Sequence, residues 1–493
     1  MRRWIVVLLA ALAAIGVAVA ALVAALHPPA LPVPKARSGV YRGVTLVEPG
    51  RSPRVGQTLR VEDGRIRDIR PDSDDDSGAA ASPYAGFFVL PGLIDMHVHY
   101  PPRIAVGNAE LWSLLFLSHG VTAVREVGSI DGSIFAVRDA IRGGLTPGPR
   151  IFACGEVLDG PQPSFPSNRV VPTPEAAIAA VREQVAHGAD CIKVYNMLSA
   201  PVHQTIREEA QRAGVPLIGH VPHEVGPERA GIDDVQHLTG TTPPERAHQL
   251  RTDFLIEDWA SVDDTRIQRV VQIALTGNVA HTPTLANARL RRKLAYPAEW
   301  SEDSALRHLP HFWDGVWRTL WGAPFRLGDA ASEAAYDHFR ERSAALTRAL
   351  WKAGGRIHAG TDTLMPYVAP GSALHAELEA LHDAGLPREA VWRVATRDAG
   401  HWLGGGPGTD RPAAGLGTLT TGAPADLVFY RGNPLRDPSA ATRIAAVVAD
   451  GRLYTRETLD RALARYDAHF HGRLYGSVMN GLTAAIRSHY GKN

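Results

Sequence analysis

Residues 87–99 read FFVLPGLIDMHVH, and the predicted fold follows from this stretch because its pattern returns along the chain. It is an apolar run that ends in polar side chains, as expected for a buried parallel strand. The later stretches that repeat the pattern, with Ala-rich amphipathic segments between them, are 120–127, 148–156, 189–196, 215–220, 232–237, 278–285 and 355–362. Strands that alternate with helices require right-handed crossovers, and eight such units over about 300 residues predict an α/β fold with a closed (β/α)8 barrel.

The polar residues at the predicted carboxyl ends of these strands are candidates for the functional site, because barrel enzymes carry their chemistry there. They are His97, His99, Lys193, His220, His237 and Asp362. His97 and His99 are two apart on a strand, so both point to the same face and can reach one cation. Taken singly, each residue has an ordinary interpretation: a core histidine, a strand-end lysine that reaches solvent or, for Asp362, a helix N-cap. Their recurrence at equivalent strand ends favours a metal site.

The composition of the chain excludes several classes of protein. The 493 residues are 45% hydrophobic and 21% charged, which is typical of a folded globular protein. A balance of 52 Lys and Arg against 51 Asp and Glu makes nucleic acid an unlikely partner. Two cysteines, Cys154 and Cys191, are too few for a disulfide-dense scaffold or a cysteine-based zinc module. Any metal must therefore be held by histidine and carboxylate.

The first thirty residues form a targeting segment rather than part of the fold. Arg2 and Arg3 precede an uncharged apolar run from Ile5 to Leu26. As a helix this run would be roughly 33 Å long, enough to cross the hydrocarbon layer of a membrane. We therefore predict a signal anchor over residues 1–30, with the two arginines in the cytoplasm and the body of the protein on the opposite side of the membrane. The protein would contact the membrane through this segment only. The alternative is a cleaved signal peptide and a secreted protein, and both interpretations export the body.

The segment between the targeting region and the first predicted barrel strand has a different pattern. From about residue 38 to residue 70, apolar and β-branched residues alternate with Gly, Pro and charge, which predicts several short strands with tight turns. The polar run at 71–83 lacks the terminal Glu of a calcium loop, so we predict a solvated loop without a function.

Six motifs along the chain resemble those of the amidohydrolase superfamily of metal-dependent hydrolases, and more closely its prolidase-like and imidazolonepropionase-like branch. They are PGLIDMHVH at 91–99, GVTAVREVG at 120–128, ADCIKVY at 189–195, HAGTDT at 358–363, the helical stretch 375–404 and GTLTTGAPADLVFYRGNPL at 417–435. The resemblance covers about residues 39 to 455. It implies one composite β-sandwich domain from residues 38–90 and 410–456, a barrel over 91–409 and a helical tail over 457–493.

The resemblance implies a bimetallic site in which Lys193 carries a CO2-derived carbamate that bridges two divalent ions. Its ligands would be His97, His99 and Asp362 on one ion, and His220 and His237 on the other. Histidine and carboxylate ligands suit zinc. Carbamylation turns a cation into an anion with two oxygens, which lets two dications lie close together. A hydroxide between the metals would be the nucleophile, and Asp362 would take its proton and pass it to the leaving nitrogen.

The expected activity is hydrolysis of carbon–nitrogen amide bonds in a small molecule, with a dipeptide that ends in proline or a cationic residue, or an N-acyl amino acid, as substrate. Tyr195 follows Lys193 by two residues and is expected to bind the substrate carboxylate, as the corresponding tyrosine does in prolidase-like members. His223 is a second candidate for substrate contact, while Glu224 beside it would deliver the proton if the protein were instead a mononuclear deaminase. The sequence is also compatible with a cyclic-amide hydrolase or with a catalytically dead, membrane-tethered binding protein, and it leaves homo-oligomerisation open.

Three further features stay open at the level of the sequence. Glu126 stands where the family more often has Asp. Residues 284–350 are rich in tryptophan, including Trp300, Trp313, Trp317 and Trp321, which indicates helix packing or, alternatively, a lid or membrane-facing patch. Arg356 and His358 are in phase with Asp362, so a regular strand would turn both into the barrel interior.

Overall fold

The structure is a computed structural model that describes residues 2–72, 82–242, 256–295, 305–321, 330–404 and 413–490. Most of the loop predicted at 71–83 lies outside these residues. In chain order, the α-helices of the described residues are α1 (Arg2–Leu26), α2 (Asn108–Ser118), α3 (Ile134–Arg142), α4 (Pro174–Ala186), α5 (Ala200–Ala213), α6 (Asp264–Gly277), α7 (Leu285–Arg291), α8 (Phe312–Trp321), α9 (Ala330–Lys352), α10 (Ser372–Asp383), α11 (Arg388–Val394), α12 (Arg397–Gly404), α13 (Arg456–Phe470) and α14 (Arg473–Tyr490).

The strands of the described residues form three sheets. They are β1 (Gly39–Leu46), β2 (Arg54–Glu62), β3 (Arg65–Pro71), β4 (Phe88–Pro91), β5 (Leu93–Val98), β6 (Val121–Glu126), β7 (Arg150–Ala153), β8 (Leu158–Asp159), β9 (Arg169–Val170), β10 (Ile192–Val194), β11 (Leu217–Gly219), β12 (Asp234–Gln236), β13 (Ala280–Thr282), β14 (Arg356–Ile357), β15 (Leu427–Tyr430), β16 (Ile444–Ala449) and β17 (Arg452–Thr455). The first sheet has the order β17-β16-β15-β4-β1-β2-β3, the second β14-β13-β12-β11-β10-β8-β9 and the third β5-β6-β7.

The second and third sheets are parallel throughout and contain a strand from each of the eight stretches that the sequence predicts. The first predicted stretch, 87–99, is divided, because its first half forms β4 in the first sheet and only its second half forms β5. Backbone hydrogen bonds join them: Met96 N donates to Ala359 O over 2.9 Å, and Asp190 N donates to Ala153 O over 2.7 Å. Because the strands are parallel, their carboxyl ends lie on one side of this mixed α/β core. That side is where the candidate residues are found.

The first sheet combines strands from both ends of the chain, since β4 lies between β1 and β15. Two of its hairpins are closed by Asp-Gly pairs whose residues all have positive φ: 49° and 78° at Asp63 and Gly64, and 50° and 76° at Asp450 and Gly451. Two such residues in succession form the turn whose twist matches that of a β-hairpin. The Arg37 guanidinium bonds to the Asp450 carboxylate over 2.8 Å and ties the entering chain to this sheet.

Local signals set the ends of the helices around the parallel strands. Thr173 accepts a hydrogen bond from Ala176 N at the start of α4, and Pro174 takes the first helical position, where its missing N–H costs nothing. Asp263 caps α6 in the same way through Arg266 N. Asn278 ends that helix in the left-handed conformation with φ 53°.

The tryptophan-rich stretch contributes to the main apolar core. Trp313 and Trp317 are 5% and 2% exposed, and their indole N–H groups donate to Asn108 Oδ1 and Leu364 O. These contacts favour helix packing for α8 over a lid. Trp300 lies outside the described residues, as does the side chain of Trp321.

The two cysteines form a disulfide, which the sequence analysis did not anticipate. Cys154 and Cys191 are separated by 37 residues, yet their Cα atoms lie 4.4 Å apart. Cys154 directly follows β7 and Cys191 directly precedes β10. The bond therefore links the two parallel sheets and begins two residues before Lys193.

Candidate active site

His97 and His99 extend from the carboxyl end of β5, and each ring is held through its Nδ1 atom. His97 Nδ1 bonds to Gln236 Oε1, and His99 Nδ1 donates to the Gly128 carbonyl over 2.9 Å. His97 is fully buried, and burial lowers its pKa to about 3. The ring is therefore a neutral imidazole, which is the form that binds a metal.

His220 and His237, at the ends of β11 and β12, are held in the same manner. His220 Nδ1 donates to Asn196 Oδ1 over 2.8 Å, and His237 Nδ1 contacts Thr284 Oγ1 over 2.6 Å. The two rings meet edge to face with centroids 5.1 Å apart. Burial also moves the pKa of each histidine well below its usual range. A hydrogen bond on one ring nitrogen fixes the orientation in which the other nitrogen is presented to a ligand.

Asp362 is the carboxylate on which three of these rings converge. Its Oδ1 lies 3.3 Å from His97 Nε2 and 3.2 Å from His99 Nε2, and its Oδ2 lies 3.9 Å from His237 Nε2. Ligand atoms of His97, His237 and Asp362 all lie within 4.8 Å of one another. Burial raises the pKa of Asp362, but the neighbouring histidines outweigh it, so the net pKa lies well below the usual range of a carboxyl group. Imidazole nitrogens around a carboxylate form a donor set that fits a divalent cation.

Asn287, which the sequence analysis missed, also contacts this carboxylate. Its side-chain amide donates to Asp362 Oδ2 over 2.5 Å from the first turn of α7. Glu377 on α10 in turn accepts a hydrogen bond from Ala286 N over 2.6 Å and so supports the start of α7. Nothing in the local sequence around Asn287 marks it, because its role depends on the packing of α7 against α10.

Lys193 lies at the centre of β10 and is 1% exposed. In the described part of the chain, no carboxylate oxygen lies within ion-pair distance of its Nζ atom. Burial lowers its pKa to about 7, with Asp362 acting in the opposite direction. Its positive charge also depresses the pKa of His97 and of His220, which lie at the carboxyl ends of β5 and β11. An ammonium group is poorly accommodated there, whereas a carbamate would be an additional anionic ligand.

Glu126 is another carboxyl group near Lys193, besides Asp362 and Asp234. It is fully buried at the end of β6, where its Oε1 accepts from Gly128 N over 3.2 Å. Burial raises its pKa well above the usual range, and Lys193 lowers it only in part. Because Gly128 also accepts the Nδ1 hydrogen of His99, this acidic side chain stabilises the loop that orients a histidine of the site.

A buried ion pair lies deeper along the strands. The Arg125 guanidinium bonds to Asp234 Oδ2 over 2.6 Å, and His358 Nδ1 bonds to the same oxygen over 2.8 Å. Burial raises the pKa of Asp234, but Arg125 and His358 outweigh it and bring the net pKa far below its usual range. His358 thus faces the interior, whereas Arg356 is exposed and bonds to the Asn278 carbonyl. The expectation that Arg356 faces inward is wrong, because the strand contains only Arg356 and Ile357 and its alternation ends before His358.

Tyr195 and His223 lie beside the histidine cluster. The Tyr195 ring stacks on His220 with centroids 3.9 Å apart and meets Phe165 edge to face. It is 7% exposed. His223 is half-buried and is fixed through its backbone N–H to Asn196 O over 3.0 Å, whereas Glu224 is exposed.

A groove of about 370 Å³ leads away from His237 between α7, α9 and α10. Its walls include the aromatic residues Trp259, Tyr336 and Phe339 and the exposed Arg289. Among the described residues, the Arg289 guanidinium has no ion-pair partner. The groove therefore offers an apolar surface beside the site, and its walls also carry charged residues of both signs, namely Arg289, Arg340, Asp337, Glu341 and Asp383.

Several site residues adopt a backbone conformation that side chains other than glycine rarely take. The φ angles are 55° at His237, 52° at Thr284 and 65° at Asp362. Left-handed conformations at such residues are costly and persist only where the surrounding structure holds them. Their concentration at the carboxyl ends of the strands is a feature that sequence patterns do not reveal.

Comparison with known proteins identifies the family to which this arrangement belongs. The sequence profile of the amidohydrolase family matches residues 88–454. The chain is 25% identical to an uncharacterized protein of Mycobacterium bovis over 424 residues, which span 80% of this chain and 91% of that protein.

Solved structures with similar folds include three enzymes or putative enzymes. Bottromycin amidohydrolase is 28% identical, with a TM-score of 0.69 over 92% of this chain and 93% of that one. A putative prolidase from Bifidobacterium longum is 24% identical, with a TM-score of 0.60 over 89% of this chain and 100% of that one. A Xaa-Pro dipeptidase with bound methionine is 19% identical, with a TM-score of 0.60 over 85% of this chain and 100% of that one. At those two lower identities the likeness concerns the fold. The profile match and the amidohydrolase relative together show that the chain belongs to the amidohydrolase family and is a hydrolase that acts on carbon–nitrogen bonds.

Proposed function

We propose that this protein is a metal-dependent, membrane-anchored amidohydrolase that cleaves the amide bond of a dipeptide or N-acyl amino acid. The observation that carries the proposal is the convergence of the His97, His99 and His237 Nε2 atoms on one ionised carboxylate, Asp362. The parallel strands β5, β6, β7, β10, β11, β12, β13 and β14 would close into a (β/α)8 barrel around this cluster. The sheet that joins both ends of the chain would belong to the composite β-sandwich domain.

The residues present fit two divalent ions, most simply zinc, because the site offers neutral imidazoles and carboxylate oxygen. His97, His99 and Asp362 would hold one ion, and His220 and His237 the other, with a carbamate on Lys193 between them. Bound divalent ions would supply Lewis acidity at the scissile carbonyl and a strong oxygen nucleophile at neutral pH. The hydrogen bonds on the four Nδ1 atoms would keep the histidines oriented for this role.

Asp362 is the residue best placed to move the proton that amide cleavage requires. It is 3% exposed, so solvent is largely excluded, and Asn287 holds its Oδ2 in place. A carboxylate fixed in this way can accept a proton at Oδ and donate it to the leaving nitrogen. Glu224 is exposed, which does not favour the alternative of a mononuclear deaminase in which this residue would deliver the proton.

The substrate would carry a free carboxylate that Tyr195 binds, with His223 as a second contact. Proline or a cationic residue at the C-terminus of a dipeptide is the first choice. The groove beside His237 favours an apolar group on the acyl side, because its aromatic walls begin at the site itself.

Export of the body is supported by two independent features. The apolar window of α1, Val7–Leu26, has a mean hydropathy of 2.8, and every residue of it before Leu26 is exposed, so by length and composition it could cross a membrane. The disulfide between Cys154 and Cys191 is typical of an oxidising compartment. We propose that α1 is an uncleaved anchor.

The experiment that tests the activity uses the full chain purified in detergent without chelator. Elemental analysis is expected to give two divalent ions per chain, and a panel of dipeptides and N-acyl amino acids is expected to include substrates. Lys193→Ala should lose most activity, and bicarbonate should help metal-free wild-type protein to recover activity when metal is returned. One ion or none, or a fully active Lys193→Ala variant, would contradict the two-metal assignment.

A further inference from the structure

The end of the membrane helix is attached directly to the body of the protein, without a spacer. The last residue of the apolar window, Leu26, is 4% exposed, and its carbonyl accepts a hydrogen bond from His469 Nε2 over 2.9 Å. Pro28 packs so closely on Gly107 that a side chain there would collide with it. Leu31 is 8% exposed within the main apolar core. Since the last apolar residue of a spanning helix lies near the lipid headgroups, the part of the body around it must lie there too.

The part of the body at this junction is the side that carries the active site. Gly107 belongs to the loop that leaves His99 at the carboxyl end of β5 and leads into α2. That loop is joined to the equivalent loop after β6, because Arg103 N donates to Asp131 Oδ2 over 2.7 Å. It is also joined to the C-terminal helices, because the Tyr475 hydroxyl donates to Val106 O over 2.9 Å. The loop after β5 and the end of α13 therefore contact the chain at the end of α1, and the loop after β6 and the start of α14 are hydrogen-bonded to that loop.

Exposed apolar side chains occur on all three of these segments. Ile104 is 57% exposed, Ile130 38% and Leu474 51%. Single exposed apolar residues are common on soluble proteins, but a group placed around the exit of a membrane helix has a nearby apolar phase to enter.

Two arginines lie next to these apolar residues in the sequence. Arg103 precedes Ile104, and Arg473 precedes Leu474. The two arginine side chains are exposed. Within the described part of the chain, neither guanidinium has an ion-pair partner. An apolar side chain beside an unpaired cation is the combination that binds anionic headgroups while it enters the acyl boundary.

We infer that Arg103, Ile104, Ile130, Arg473 and Leu474 form a membrane-contact surface that seats the mouth of the barrel on the bilayer that holds α1. The occupant is an anionic lipid surface. This inference rests on the proposal that α1 is an uncleaved anchor, and it extends the membrane contact beyond the N-terminal segment to the catalytic body.

The test places an environment-sensitive fluorophore on single cysteines in the full chain, reconstituted in nanodiscs of phosphatidylcholine and phosphatidylglycerol. The native cysteines are buried and bonded to each other, so Ile104→Cys and Leu474→Cys are labelled selectively. The matched control is Leu145→Cys, which is 77% exposed between α3 and β7, at the amino ends of the strands. Nitroxide-bearing lipid is expected to halve, roughly, the fluorescence at positions 104 and 474 and to leave position 145 unchanged, because only interfacial residues reach the lipid.

Equal quenching at the three positions, or none at positions 104 and 474, would overturn the inference. Combining Arg103→Glu with Arg473→Glu should reduce the quenching, and an unchanged signal would overturn the assignment of the two arginines. Failure of the anchor proposal is seen separately, as a chain that does not co-purify with the discs, and it would remove the basis for this surface as well.

Discussion

The disulfide between Cys154 and Cys191 allows a quantitative test of what holds the two parallel sheets together. Reduction of the wild-type protein with a phosphine removes the cross-link and keeps both sulfur atoms. The bond closes a loop of 37 residues. In the chain-entropy description, releasing such a loop in the unfolded state costs about 4 kcal/mol of stability at 25 °C. A double variant, Cys154→Ala with Cys191→Ala, should lose at least as much, because both sulfurs are buried and their removal also leaves a small cavity.

The assay is urea unfolding of the full chain in detergent, followed by tryptophan fluorescence under oxidising and reducing conditions. A thiol titration of the unfolded, unreduced protein is the control and should find no free thiol. Two titratable thiols would refute the cross-link itself. A stability difference below about 1 kcal/mol between oxidised and reduced protein would refute the reasoning that the bond restrains the unfolded chain.

Burial raises the pKa of Glu377 to about 8, so the folded protein binds the carboxyl proton of Glu377 more tightly than the unfolded chain does. Folding therefore loses stability as the pH rises from the usual pKa of a glutamate towards 8, and nothing is lost below that usual pKa. Between pH 5 and 7 the free energy of unfolding of the wild type should fall, relative to that of Glu377→Gln, by roughly 1.4 kcal/mol per pH unit. An equal difference between the two proteins at pH 5 and at pH 7 in denaturant unfolding would contradict this. Asn287→Ala removes a hydrogen bond to the Asp362 carboxylate, which is worth about 1.5 to 3 kcal/mol for a charged partner, and should lower kcat by roughly ten- to a hundredfold with little change in KM. Steady-state kinetics in which KM alone changes would argue against a positioning role for Asn287. Tyr195→Phe should lower kcat/KM roughly ten- to a hundredfold for substrates with a free carboxylate and leave C-terminally amidated analogues nearly unaffected, whereas an equal loss on both would exclude carboxylate binding by Tyr195.

The amino-acid sequence alone is enough to predict the family and the eight strands that alternate with helices between residues 87 and 362. Each predicted barrel strand carries its own signal, an apolar run that ends in polar residues, and such signals are local. The same holds for the tight turns predicted between residues 38 and 70, where the two residues Asp63 and Gly64 are enough to specify one hairpin. The candidate ligands could also be proposed from the sequence, because the ends of parallel strands lie on one side of a sheet.

The contacts between these residues, and the residues that support them, depend on the tertiary structure. His97 and Asp362 are far apart in the chain, and their 3.3 Å contact depends on the pairing of distant strands. The same is true of the disulfide, since composition alone could not say that Cys154 and Cys191 face each other. Asn287 depends on helix packing alone. Such contacts are set by the summed packing of many elements rather than by local preference, which is why no stretch of sequence announces them.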